Sequence, residues 1–528
     1  MDRAWRLQGG DDQVGAAEKL EVPHKIKPAA SSARKEETGS KEKIFGRVSY
    51  GGALVILWIL SLPIVNPWVH GDGVGYYAYI HSVLINHNLV FDREWEAGNE
   101  SFVMSRLQSN GEVLPNQYTE THHIDNHFSV GPSILWAPFL GATHLTIITL
   151  NRFGLHLHAD GFSLPYLLTM ALATAGYSFL GLWLSFCLAR SYVPERWAFL
   201  ATVAYWFASS LFVYMYLNPA WSHALSFFAV ALFLWYWHRT RDHRTAIQWI
   251  VWGLLAALMV NLYYLNVILL LVPALEGVGE YIALVRSGGT SVRRTSFAHP
   301  LGAHALFVAA FLVGVLPTLV TRKIIYGHFF TTGYPEAHDW NWTHPVVASV
   351  LFSSDHGLLV WTPILALAIV GLFLFRSLDS IFALYLGAVT LVFIYVISSY
   401  VNWDGISSFG NRFFVSLGAV FIIGLAAFFD RLRRWIPGER KAFLISSFAV
   451  ICFVTWNVGF VFQWGDHLIP VRGPISWRAM TYNQFHVVPA RIWNTAEGYF
   501  FSRMRLLREI ENKDMQQLRQ APPDNQNK

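Results

Sequence analysis

Long stretches of this chain carry no charged residue. Apolar runs fall at 48–66, 131–150, 163–189, 197–217, 221–237, 247–275, 303–321, 358–375, 380–399, 413–429 and 442–463, and none holds Asp, Glu, Lys or Arg. A helix needs about 20 apolar residues to cross the hydrocarbon core of a bilayer. The pattern predicts an all-α polytopic membrane protein, a bundle of roughly nine to eleven transmembrane helices.

The polar connections orient that bundle. Three are rich in cations: 238–246 (Arg239, Arg241, Arg244), 286–294 (Arg286, Arg293, Arg294) and 430–441 (Arg431, Arg433, Arg434, Arg440, Lys441). Basic short loops stay on the cytoplasmic side. Residues 1–46 are polar and basic toward the first span, which predicts a disordered cytoplasmic tail. The transmembrane domain then covers 47–463, with a large first exterior loop at 67–162 carrying interfacial segments. The polar tail 464–528 is expected outside, despite its arginines.

Two runs resist simple counting. The run 247–275 lies between two basic loops, so it must enter and leave on one side. It is too short for two full crossings. The expected solution is a hairpin of two short helices with its polar tip at Asn261 to Asn266. The run 131–150 starts with Gly-Pro and contains Pro138. Parity against the Arg190/Arg196 loop makes it an interfacial or re-entrant segment, interrupted at Pro138.

Composition agrees with the class. Charged residues make up 14% of the chain, against about 25% in soluble domains. The net charge of +5 is too small to point to nucleic acid. Cys187 and Cys452 both sit in apolar runs and say nothing of a disulfide.

Candidate chemistry gathers in the exterior loops. "VHGDGVGYYAYIHSVL" (69–84) frames Asp72 with Gly71, Gly73 and Gly75 and leads into Tyr76 and Tyr77. The glycines allow close approach of a substrate, and the tyrosines predict an amphipathic interfacial helix. Asp72 reads either as a general base or as a cap of that helix. "ETHHIDNHFSVGP" (120–132) is dense in metal-ligand types, His122, His123, Asp125 and His127, at no standard zinc spacing. Substrate hydrogen bonding by His123, Asp125 and Asn126 is the alternative. "YLNPAWSHALSFF" (216–228) offers His223 as a cavity residue or a structural histidine. "LFSSDHGLLVWTP" (351–363) places Asp355 and His356 before a span, and "NWDGISSFGNRFF" (402–414) places Asp404 and Arg412. A guanidinium at a bilayer edge is a bidentate phosphate ligand, or it snorkels to a lipid headgroup. Arg322 and Lys323 lie outside against the positive-inside bias and hint at an anionic ligand.

The strings "GDGVGYYAYIHSVLI", "HIDNHFSVGPSILWAPF", "WSHALSFF", "YGHFFTTGY", "LFSSDHGLLVWTP" and "SSFGNRFF", spread over about 68–415, resemble motifs of the GT-C glycosyltransferases. The closest likeness is to the bacterial branch of protein O-mannosyltransferases and aminoarabinose transferases. The resemblance implies a polyprenyl-phosphate sugar donor. Transfer would take place at the non-cytoplasmic face of a bacterial inner membrane, to a lipid, glycan or protein acceptor, with inversion. It implies Asp72 as catalytic base, Arg412 steadying the leaving phosphate and His356 as a helper. Where relatives carry Lys or Arg at the hairpin tip, Asn261 and Tyr263 stand here. Gly73 replaces the second acidic residue common beside the first-loop Asp. No cofactor is clearly implied, and a divalent metal is left open. The spans hide no ionisable residue at mid-membrane, unlike ion-coupled transporters. A flippase of lipid-linked sugars and a silent scaffold remain the competing readings.

Overall fold

The structure, a computed structural model, describes residues 49–104, 106, 112–286, 298–331, 333 and 337–520. The tail 1–46 and most of the basic loop 286–294 lie outside the described residues. In chain order the helices of ten residues or more are α1 (Tyr50–Ser61), α2 (Asp72–His81), α3 (Gly131–Arg152), α4 (Leu164–Ala189), α5 (Glu195–Phe207), α6 (His223–Thr240), α7 (Ala246–Leu262), α8 (Leu271–Arg286), α9 (Ala298–Gly314), α10 (Leu316–Tyr326), α11 (Ile364–Phe375), α12 (Ser380–Ser399), α13 (Gly418–Trp435), α14 (Glu439–Gly465), α15 (Val488–Phe501) and α16 (Arg503–Gln520). Among the described residues, six helical segments are long and apolar enough to cross a membrane: α3, α4, Tyr264–Arg286, α12, Arg412–Trp435 and α14. Pro300–Gly314 of α9 and α10, bent by 40°, make a seventh if the pair is one span, and Tyr50–Ile64, α7 and α11 are shorter apolar helices. The chain is an all-α polytopic integral membrane protein.

Ion pairs tie the basic connections together at one end of the bundle. Arg196 bonds the Tyr50 hydroxyl (2.8 Å) and faces Glu439 (3.6 Å). Arg241 pairs with Asp379, which also accepts from Tyr192 (3.2 Å). Arg244 meets Glu276 at 3.0 Å. The opposite end carries the Asp72 loop and its neighbours.

The hairpin differs from expectation in its second arm. It does not stop at Leu275 but runs helically from Tyr264 to Arg286. Glu276, which closes the apolar run in the sequence, is neutralised by Arg244 and accepts from Trp237 Nε1 (3.0 Å). Both amide groups of the polar tip donate inside the protein. Asn261 Nδ2 donates to Gly314 O (2.8 Å), and Asn266 Nδ2 donates to Ser226 Oγ (2.8 Å) and Met259 O (2.7 Å).

Pro138 does not interrupt the 131–150 segment: α3 is continuous over 22 residues. The Tyr177 hydroxyl donates to Leu135 O (3.3 Å), beside the Ile134 carbonyl that the proline leaves without its amide. The other bonds from α3 to α4 are Trp136 to Thr174, Thr143 to Thr169 and His144 to Tyr166. All fall in the first half of α4, so α3 pairs antiparallel with that half and not with the Arg190 end.

Small residues let α11 and α13 touch backbone to backbone. A Cβ on Gly371 would overlap the Gly424 carbonyl, and one on Gly424 would overlap that of Ala368. Helices in lipid gain much of their association from such close contact. Gly371→Leu or Gly424→Leu should abolish monodisperse elution in detergent. Gly387→Ala, where a Cβ meets nothing within 4 Å, should leave elution and melting temperature unchanged.

Candidate active site

The site starts at a turn that only glycine adopts comfortably. Gly71 has φ +53°, in the left-handed half of backbone space that L side chains avoid. Its amide donates to Asn99 Oδ1 (3.0 Å), and Asn99 Nδ2 in turn donates to the Glu511 carboxylate (3.0 Å). Asp72 is the first residue of α2, where the unpaired helical N–H groups favour a negative charge.

The expected interfacial amphipathic helix is instead buried on every face, from Gly73 to His81. Gly73 and Gly75 serve protein packing and not a substrate. A Cβ on Gly73 would meet Ala220 at 2.7 Å, and one on Gly75 would enter the Phe128 ring. Segment 126–133 clamps the helix. Asn126 Nδ2 donates to Gly75 O (3.0 Å), and Ser133 Oγ bridges Tyr76 O (2.8 Å) and the Ile80 amide (3.0 Å).

Asp72 opens into a cleft with Tyr76, His223, Tyr263, Tyr400, Asn402, Gly405, Ile406, Arg412 and Phe413 on its walls. Each wall comes from a different part of the chain: the start of α2, the start of α6, the hairpin tip and the loop before α13. The Arg412 guanidinium hydrogen-bonds the Asp72 carboxylate. It also lies 4.8 Å from the centre of the Trp221 ring, a cation–π contact that fixes its plane. Burial and the nearby Asp72 charge push the Tyr76 phenol well above its ordinary range, so it stays a neutral hydroxyl. His223 is buried, yet both ring nitrogens lack a hydrogen-bond partner. Its ring stands edge-on to Tyr214 (4.9 Å) and Tyr263 (5.3 Å). Ile406 holds φ +64°, a costly geometry for a β-branched residue.

The structure thus brings Asp72, Tyr76, His223 and Arg412 together. The other sequence candidates lie elsewhere. Tyr77 donates to Gly161 O (2.6 Å) and lines a second cavity on the far side of α2, with Trp68, Glu94, Asn99 and Phe162. Asn126 is fully buried in the α2 clamp. His123 bonds Thr121 (3.0 Å), and Asp125 accepts from Tyr326. Among the described residues, the ligand-type atoms of 122–127 do not gather into a metal group. Arg322 is not an open anion site. Its guanidinium donates to Asn126 O (2.9 Å), Phe128 O and the Tyr79 hydroxyl (3.1 Å). Lys323 is engaged by Gly327 O. His356 does not border the cleft. It is fully buried, with Nδ1 3.0 Å from Asp355, and Asp404 lies close to both. Burial and the facing Asp355 raise the Asp404 carboxyl above its usual range.

Tyr400, Asn402 and Ile406 are wall residues that sequence reading missed. Their only signal was proximity to Arg412. The polar tail also closes on this end. Tyr499 donates to Ile64 O (2.6 Å) and Arg503 to Val65 O (2.8 Å). At least one of the tail's arginines therefore serves carbonyls at the exit of α1.

No protein-family model and no curated protein matches the sequence. Among solved structures the fold is similar to that of ArnT from Cupriavidus metallidurans in the apo state. The TM-score is 0.44 at 14% identity, over 79% of this chain and 70% of that one. It is also similar to ArnT from the same organism bound to undecaprenyl phosphate. There the TM-score is 0.43 at 14% identity, over 78% of this chain and 71% of that one.

His70, just before the site, stacks on Trp68 (3.9 Å) and accepts Trp221 Nε1 on its carbonyl (3.0 Å). Burial lowers its imidazole to about 4, against about 6.5 in an unfolded chain. Between those values the unfolded chain binds the extra proton, so stability is complete above about pH 6.5 and falls as pH drops toward 4. His70→Phe should flatten that fall in melting temperature measured across the same window.

Proposed function

We propose that the protein is a membrane glycosyltransferase. In this reading it moves a sugar from a polyprenyl-phosphate donor to an acceptor hydroxyl or amine at the non-cytoplasmic face of a bacterial inner membrane. One observation carries the reading. A carboxylate and a guanidinium, Asp72 and Arg412, face each other in an open cleft. That cleft lies at the end of the bundle opposite the arginine-rich connections. The resemblance of the quoted sequence strings to motifs of GT-C glycosyltransferases supports the same reading.

The chemistry follows from the pair. A lipid phosphate is a better match to a guanidinium fork than one carboxylate oxygen. On donor binding it would take Arg412 from Asp72 and leave that carboxylate free beside the reactive sugar carbon. The acceptor O–H or N–H gives its proton to Asp72. The acceptor atom bonds to the anomeric carbon from the face opposite the phosphate, and the C–O bond to phosphate breaks with its electron pair on the phosphate. Arg412 stabilises that leaving charge, so inversion results. A phosphate leaves without protonation, so a second carboxylate acid of the glycosidase kind is unnecessary. The unpaired His223 nitrogens and the Tyr76 hydroxyl supply contacts for phosphate or sugar oxygens.

Asp72→Asn should reduce transfer by about 10²–10⁴-fold, the usual contribution of a general base, while donor binding persists. Arg412→Ala should cost about 10²–10³-fold, with Arg412→Lys recovering part of the loss. The readout is labelled product from a panel of polyprenyl-phosphate sugars, with elution profile as folding control. Unchanged transfer in Asp72→Asn would remove this residue as base, and lipid translocation without transfer would favour a flippase.

A further inference from the structure

Behind the loop that walls the cleft lies a separate cluster. Asp355, His356 and Asp404 each offer one ligand atom, and these atoms lie within 4.8 Å of one another. Metal–oxygen and metal–nitrogen bonds of about 2.0–2.6 Å set two ligands of one ion no more than roughly 5 Å apart, so the three groups meet the limit. The residues come from two loops, the 353–357 turn before α11 and the 400–411 loop before α13.

His356 is the informative member. It is fully buried and stacks flat on Trp361 at 4.5 Å and 16°. Its Nδ1 is 3.0 Å from Asp355 Oδ1. That nitrogen is the ring atom turned to the carboxylate, so an ion among the three groups would displace the Nδ1 proton and bind there, between Asp355 and Asp404.

We propose that Asp355, His356 and Asp404 form a site for one divalent cation. The donor set, one imidazole and two carboxylates, suits Zn²⁺ or Mn²⁺ better than the all-oxygen sites of Ca²⁺ and Mg²⁺. None of the three residues lines the Asp72 cleft, so the ion is not at the reacting atoms. It pins the 353–357 turn to the 400–411 loop. That loop supplies Asn402, Gly405, Ile406 and its neighbour Arg412 to the cleft wall. The ion is thus a positioning element for the wall that faces Asp72. Arg472 acts electrostatically on Asp404 and is the competitor: a guanidinium could neutralise this carboxylate without any metal.

The test uses the full-length protein in detergent, stripped with a chelator and titrated with Mn²⁺ followed by electron paramagnetic resonance, and in parallel with Zn²⁺ by calorimetry. One ion per chain should bind, and the ion should raise the melting temperature. Asp404→Asn and His356→Gln should each weaken binding at least about tenfold and lose the thermal shift. Should these two variants misfold, Asp355→Asn, on the more accessible ligand (22% exposed), serves instead. Absence of saturable binding to wild type overturns the proposal, as does equal affinity in the variants. No donor sugar is present in these measurements, so their failure leaves the reading of Asp72 and Arg412 untouched, and loss of sugar transfer would not by itself remove the ion.

Discussion

One ion pair organises the open end of this bundle. Asp72 and Arg412 are 340 residues apart in the chain, and each sits where a charge is costly, at the rim of a hydrophobic assembly. Neither charge is cheap to desolvate alone, so their pairing draws the start of α2 and the loop before α13 together. Everything else in the cleft is arranged around that meeting. Trp221 lies beside the guanidinium, Tyr263 approaches from the hairpin tip, and Tyr400 and Asn402 close the far wall. A pair held mainly by mutual charge is also one that a stronger anion can separate.

The pair works because the surrounding loops are not free. In a chain with so much apolar surface, irregular backbone persists only where its N–H and C=O groups find partners. Arg322 supplies several at once to the 126–128 backbone, and Asn126 passes the restraint to Gly75 on α2. Arg322 therefore acts as an internal strut. The same logic explains Glu276, an acid at the far end of a span that costs little because Arg244 and Trp237 complete it.

The all-helical, many-span class was legible because lipid forbids stray charge, and a run without one is visible in a single pass. Asp72 and Arg412 stood out for the same reason: charges beside spans are few. Three things could not be read. Glu276 looked like the end of a run, because its neutraliser is 32 residues away. Pro138 looked like a break, because the packing against α4 that carries α3 through it comes from another helix. The dense histidines of 122–127 suggested chemistry by proximity in sequence, whereas ligand-type atoms converge at Asp355, His356 and Asp404, joined only by folding. Local pattern reports the solvent each segment prefers. It does not report which loops meet.

The Gly71 turn reaches beyond its own loop. Its amide is held by Asn99, and Asn99 is held by Glu511 on α16, 412 residues further along. During synthesis the first loop would emerge long before that partner exists. The backbone angle that aims Asp72 would therefore settle last, when α16 docks. The start of α2 thus gains its last restraint from the far end of the described chain.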